Sequence, residues 1–162
     1  MPLSKLLDEL AVVDAIHRWC AAIDERDWTS LKALITDFIR IDYSSNGSVN
    51  GDLTADEWVN RLRVLHGFDA TLHMVTNIRP SVEGDQAVCS SYVNAMHFLD
   101  EGQEELHAFA CGTYVHQLAR IDGRWRICAA TFRLAGRHGG RAAFDAAFER
   151  ARALAPGRER VS

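Results

Sequence analysis

What this chain of 162 residues lacks narrows its possibilities first. No apolar run approaches the roughly 20 residues that cross a bilayer as a helix, so a membrane partner is not expected. The opening "MPLSKLLDEL" has none of the basic-then-apolar layout of a signal peptide, which makes a cytoplasmic location the expectation. No dense block of Lys or Arg occurs before the short C-terminal "GRER", and the net charge of −4 is spread over interspersed signs. Nucleic acid is therefore not an expected partner either. Cys20, Cys89, Cys111 and Cys128 form no C-x-x-C and no Cys/His pair at zinc spacing. They sit inside apolar periodic segments and are expected to be buried free thiols rather than disulfides. There is no G-x-G-x-x-G, P-loop, G-x-S-x-G or H-E-x-x-H, and the histidines and carboxylates are dispersed. The expectation is chemistry with no cofactor and no metal.

What is present is an ordinary globular composition with no internal repeat or linker. That fits one domain over residues 1–155, followed by a loose tail at 156–162. Ser4 reads as an N-cap, and Leu6, Leu7, Leu10, Val13, Ile16, Cys20 and Ile23 then recur at helical spacing. "WTSLKAL" reads as a second short helix, "FIRIDY" as a strand closed by the turn "SSNGS". "TADEWVNRLRVL" is a third helix, with Thr54 and Glu57 at capping-box spacing. Four long stretches rich in β-branched and aromatic residues follow: "ATLHMVTNIRPSV", "QAVCSSYVNAMHFLD", "ELHAFACGTYVHQLARI" and "RWRICAATFRL". "EGDQ" and "IDGR" are hairpin turns between them, and "GGRAAFDAAFERARAL" is a closing helix stopped at Pro156 and Gly157. Helices, then an antiparallel meander, then one helix is an α+β arrangement, and a strongly curved sheet would enclose a pocket.

Several residues could carry chemistry. Asp24 lies near the apolar stripe of the first helix, on the flank that carries Cys20 and His17. His73 alternates with Thr71, Val75 and Asn77. The opposite face, Leu72, Met74, Thr76 and Ile78, is the more apolar, which by itself would turn His73 to solvent. His97 shares its face with Ser91, Val93, Ala95 and Leu99, as a satisfied core residue or a site residue. Tyr43 closes the first strand and could donate from its phenol at a pocket. Asn94, Tyr114 and Arg133 are strand polar residues of open facing.

Taken in order, "DERDW", "IRIDYSS", "TLHMV", "NAMHFLD", "RIDGRWRICA" and "AFDAAFERAR" resemble the scytalone dehydratase branch of the SnoaL-like, nuclear-transport-factor-2-like (NTF2-like) superfamily, over roughly residues 5 to 150. The resemblance implies a cone-shaped NTF2-like fold with N-terminal helices enclosing a pocket. It also implies catalytic residues Asp24, His73, Tyr43 and His97; Tyr114, Asn94, Arg133, Phe144 and Phe148 are expected to bind substrate. In that family the earlier His acts as base and is held by the Asp, while the second His and the Tyr position water and a substrate carbonyl. Ile23 stands here where the family has a second Tyr, and Gly112 and Tyr114 fall near its Ser and Asn. The implied activity is a cofactor-free dehydratase-type lyase, or a related isomerase or cyclase, acting on a small hydrophobic cyclic substrate within a homotrimer or homodimer. A pocket used for binding alone is the competing expectation, and a structural oligomerisation domain the third.

Overall fold

The computed structural model describes residues 2–100 and 105–158. Helix α1 (Leu3–Asp24) meets the sheet through Val12, Ile16, Trp19 and Ile23, all nearly inaccessible. Carried back one turn from Val12, that face bears Asp8 and Glu9 rather than leucines, and this is why Leu6, Leu7 and Leu10 stay exposed despite their helical spacing. Asp8 uses the position to pair with Arg120 at 2.8 Å. Ser4 is not the cap: Pro2 occupies the N-cap position without a side-chain bond, and its fixed φ leads straight into the first turn. Helix α2 (Trp28–Leu34) is capped by Asp27, which accepts from the Ser30 N–H. Helix α3 (Ala55–Leu62) opens with the complete Thr54–Glu57 capping box, worth about 1 kcal/mol.

The sheet has six strands: β1 (Ile35–Asp42), β2 (Asn50–Thr54), β3 (Ala70–Glu83), β4 (Gln86–Asp100), β5 (Glu105–Ile121) and β6 (Arg124–His138). Their order is β2-β1-β6-β5-β4-β3, antiparallel throughout except where β1 runs parallel to β6. β2 carries too few strand-forming residues to be read from sequence, and β1 supplies its ladder. The β3/β4 and β5/β6 hairpins turn at the expected places, with Gly84, Asp122 and Gly123 at positive φ. Register shifts at Thr76/Arg79, Cys111/Gly112 and Gln117/Leu118 bend the long strands. Such bulges add twist and curl the sheet into a cone. At one of them a Cβ on Gly112 would lie 2.0 Å from the Arg133 carbonyl oxygen, so the bend requires glycine.

The fold is therefore α+β, a curved six-stranded sheet with the N-terminal helices and a C-terminal helix packed against it. Helix α4 (Gly140–Arg158) runs through Pro156 instead of stopping there. Pro156 sits in its last turn, and Ala155 is still buried against the body. Of the expected tail, residues 156–158 are helical and 159–162 lie outside the described residues. Helix α4 rests on the 3₁₀ turn Arg63–Gly67 so closely that a Cβ on Gly67 would meet the Ala151 carbonyl oxygen at 1.8 Å. All four cysteines are free. Cys20 and Cys89 are buried as expected, whereas Cys111 is exposed and Cys128 half-buried on strands whose faces alternate. Among the described residues no helix is long and apolar enough to cross a membrane.

Candidate active site

Helix α1 delivers Asp24 as its last residue, with the carboxylate turned onto β3. Oδ2 accepts from the His73 backbone N–H at 2.8 Å. Oδ1 accepts from the Thr71 hydroxyl at 2.9 Å and faces His73 Nδ1 at 2.6 Å. Burial by itself pushes this carboxyl up, but the imidazole and backbone N–H of His73 and the Thr71 hydroxyl outweigh it and hold Asp24 below its ordinary value. An ionised carboxylate can only accept, so the proton between the two side chains belongs to His73 Nδ1. In the neutral ring Nε2 is then the nitrogen left to accept, and the ring lines the cavity.

The facing of β3 is the reverse of what apolarity suggests. Thr71 and His73 point inward, and Leu72 and Met74 are each 46% exposed on the outer face. His17, placed with Asp24 by helical spacing, is exposed and takes no part.

His97 reaches the same cavity from β4. Its Nδ1 lies 2.8 Å from the Ala108 carbonyl oxygen, which fixes a proton on that nitrogen. The ring packs against Phe68 and Phe148 and meets His73 edge-on at 5.6 Å. Burial, with His73 beside it, pushes its pKa down to about 3. His97 is thus neutral at ordinary pH and offers Nε2 purely as an acceptor. Of the two parts expected of it, an acceptor can position water, whereas holding a carbonyl oxygen needs a donor.

The donors come from the opposite wall. Tyr43 lies just past the end of β1, its ring among Trp58, Tyr114 and Phe132. Burial raises the pKa of both phenols, and the hydrogen bond between them lowers Tyr43 while raising Tyr114. Both stay protonated. Tyr43, Tyr114, His73 and His97 line one cavity of about 150 Å³, closed by Phe132 and by Phe144 and Phe148 of α4. Asn46, Ser48 and Arg61 are its polar remainder. Asn94 and Arg133 do not reach it. Both are exposed on the outer sheet face, one alternation step from inward neighbours Val93, Ala95 and Phe132. Trp58 and Phe132 were missed as lining residues, because nothing local distinguishes a cavity wall from a core. Among the described residues, no group of three or more His, Cys, Asp or Glu side chains is placed to hold a metal ion.

The sequence profile of the SnoaL-like domain matches residues 4–131. The chain belongs to the SnoaL-like family. An uncharacterized protein of Mycobacterium tuberculosis is 30% identical over 132 residues, which cover 78% of this chain and 85% of that one. Among solved structures, the Kfla4162 protein of Kribbella flavida superposes with a TM-score of 0.79 at 21% identity, covering 91% of this chain and 99% of that chain. A candidate scytalone dehydratase of Novosphingobium aromaticivorans gives 0.73 at 21% identity, covering 85% and 91%. The LinA-type3 hexachlorocyclohexane dehydrochlorinase of Novosphingobium barchaimii gives 0.67 at 20% identity, covering 84% and 92%. At these identities the structural likeness speaks for the SnoaL-like fold alone.

Proposed function

We propose that this SnoaL-like protein is a cofactor-free lyase of the dehydratase type, with His73 as its base. The observation that carries the reading is the Asp24–His73 pair at 2.6 Å in the wall of an aromatic cavity. His73 Nε2 removes a proton from the carbon beside a substrate carbonyl, and Asp24 stabilises the imidazolium that forms. Tyr43, with Tyr114 hydrogen-bonded to it, donates to the carbonyl oxygen as enolate charge develops. The enolate then collapses, the C–O bond β to the carbonyl breaks, and the departing hydroxide takes the proton held by His73. One water leaves and one C=C bond forms. His97 Nε2 accepts from the leaving hydroxyl before it departs, a part that an acceptor-only imidazole can fill. The volume is about what one benzene-sized ring requires, so the substrate class is a single hydroxylated ring bearing a carbonyl, with any larger portion emerging past Arg61. Related members of the superfamily are isomerases, cyclases and a dehydrochlorinase, and the same base would serve those outcomes with a different leaving group.

Self-association belongs to the same proposal. Leu72, Met74, Val88 and Tyr92 lie exposed on the outer sheet face, and sedimentation velocity distinguishes dimer, trimer and monomer.

The experiment is a turnover screen of β-hydroxy carbonyl ring compounds with wild type, Asp24→Asn and His73→Ala. Loss of turnover in both variants with binding retained supports the lyase. Binding by all three with turnover by none makes the protein a binding module.

A further inference from the structure

Helix α1 ends in a two-bond wrap in which the Asp27 N–H donates to the Ala22 carbonyl and the Arg26 N–H to the Ile23 carbonyl. This is the Schellman pattern, whose pivotal residue must adopt a left-handed backbone. That residue is Arg26, at φ 57°. Glycine normally fills the position, because a Cβ there costs roughly 1–2 kcal/mol. A strained arginine where glycine would serve points to a use for its side chain.

The guanidinium turns back over the helix end. Nη1 donates to Thr71 Oγ1 at 2.8 Å and also to the Asp24 main-chain carbonyl, and Nη2 donates to the Leu65 carbonyl at 2.9 Å. Arginine can only donate, so Thr71 Oγ1 must accept from it. The single Thr71 proton is then committed to Asp24 Oδ1, the oxygen that faces His73 Nδ1. Arg26 itself does not line the cavity.

We infer that Arg26 is a positioning residue for the Asp24–His73 pair, acting through Thr71: it fixes the hydroxyl rotor that pins the carboxylate in the orientation His73 requires. The inference rests on the proposed base but is tested apart from it. With Arg26 gone, the Thr71 hydroxyl can turn away, and Asp24 loses both a donor and a nearby positive charge.

The test is the pH titration of the Asp24 carboxyl carbon by NMR in wild type, Arg26→Gly, Arg26→Lys and Thr71→Val, with no ligand present. Glycine keeps the left-handed turn, so Arg26→Gly retains the fold, checked by circular dichroism; Thr71→Val provides a second, isosteric break. The expected result is an upward shift of the Asp24 titration in both Arg26→Gly and Thr71→Val. The double variant should shift no further than Thr71→Val alone, and Arg26→Lys should recover part of the shift. The other titrating groups that feel Asp24, namely Cys20, His97 and Tyr114, are left in place by these substitutions. On a turned-over substrate, Arg26→Gly lowers kcat by up to roughly 100-fold with little change in KM. An Asp24 titration unchanged in Arg26→Gly overturns the inference, whether or not Thr71→Val shifts it, and leaves Arg26 as a helix terminator. Turnover surviving His73→Ala would sink the lyase reading instead, without touching the titration result.

Discussion

Helix α1 presents two groups of buried polar atoms to the sheet, and they are treated oppositely. At its end, the Asp24 carboxylate, the Thr71 hydroxyl and His73 Nδ1 hold one another, with Arg26 behind them. One turn earlier, Trp19 Nε1 and both ring nitrogens of His116 have no hydrogen-bond partner among the described residues, and the same is true of Ser91 Oγ on β4. His116 is wholly inaccessible, its ring edge-on to Trp19 and Tyr114 at 5.2 Å each. It serves as a neutral aromatic, and burial pushes its pKa down to about 3. An unpaired buried polar atom costs about 1–3 kcal/mol. The chain tolerates that cost where packing alone matters and avoids it where a charge has to stay in a set place.

The sharpest way to break the comparison is Asp24→Ala, which strands the Thr71 and His73 donors and the Arg26 charge together. Unfolding by urea at pH 7 should show a loss of about 3 kcal/mol. Acid exposes the other group. His97 and His116 both refuse protons that the unfolded chain accepts below its ordinary value near 6.5. Stability should therefore fall from pH 6.5 downward by up to about 1.4 kcal/mol per unit for each of them. Asp24, held below its ordinary value, adds stability above that value and gives it up only as pH falls through the lowered one, so it does not contribute to this slope. In His116→Leu, the difference in unfolding free energy between pH 7 and pH 5 should shrink by up to about 2 kcal/mol. The smallest effect belongs to Ser91→Ala. Removing a hydroxyl without a protein partner should leave stability within about 1 kcal/mol of wild type, and on the favourable side, whereas Thr71→Val should cost more.

Local chemistry made much of this legible before the structure. The Thr54–Glu57 box and the two hairpin turns depend on neighbours in sequence, whereas Asp24, Tyr43, His73 and His97 stood out only through the order in which their segments resemble a known family. Facing was legible in neither way. Alternation separates the two sides of a strand without saying which is inside, and the usual guide, that the apolar side is inward, fails for a strand whose inner side carries the site's own polar groups, Thr71 and His73. That is why Leu72 and Met74 misled about His73, and why Asn94 and Arg133 were assigned to a pocket they turn away from. Arg26 was hidden for a different reason: nothing in "DERDW" announces that its third residue takes a glycine conformation. Pro156 misled because a proline in the last turn removes one bond that a helix can spare.

The parallel pairing of β1 with β6 has a consequence for how the chain matures. Ile41 sits beside Ala130, so strand β1 leaves the ribosome long before its partner exists and has only the short β2 to cover its other edge. Until residues 124–138 are made, an edge rich in isoleucine stands open, the kind of edge that recruits other chains. Closing it is a contact between distant parts of the sequence, which is slow. The site wall at Tyr43, anchored to the end of β1, is then among the last features to form. Truncated or stalled chains should aggregate through β1 rather than fold partway.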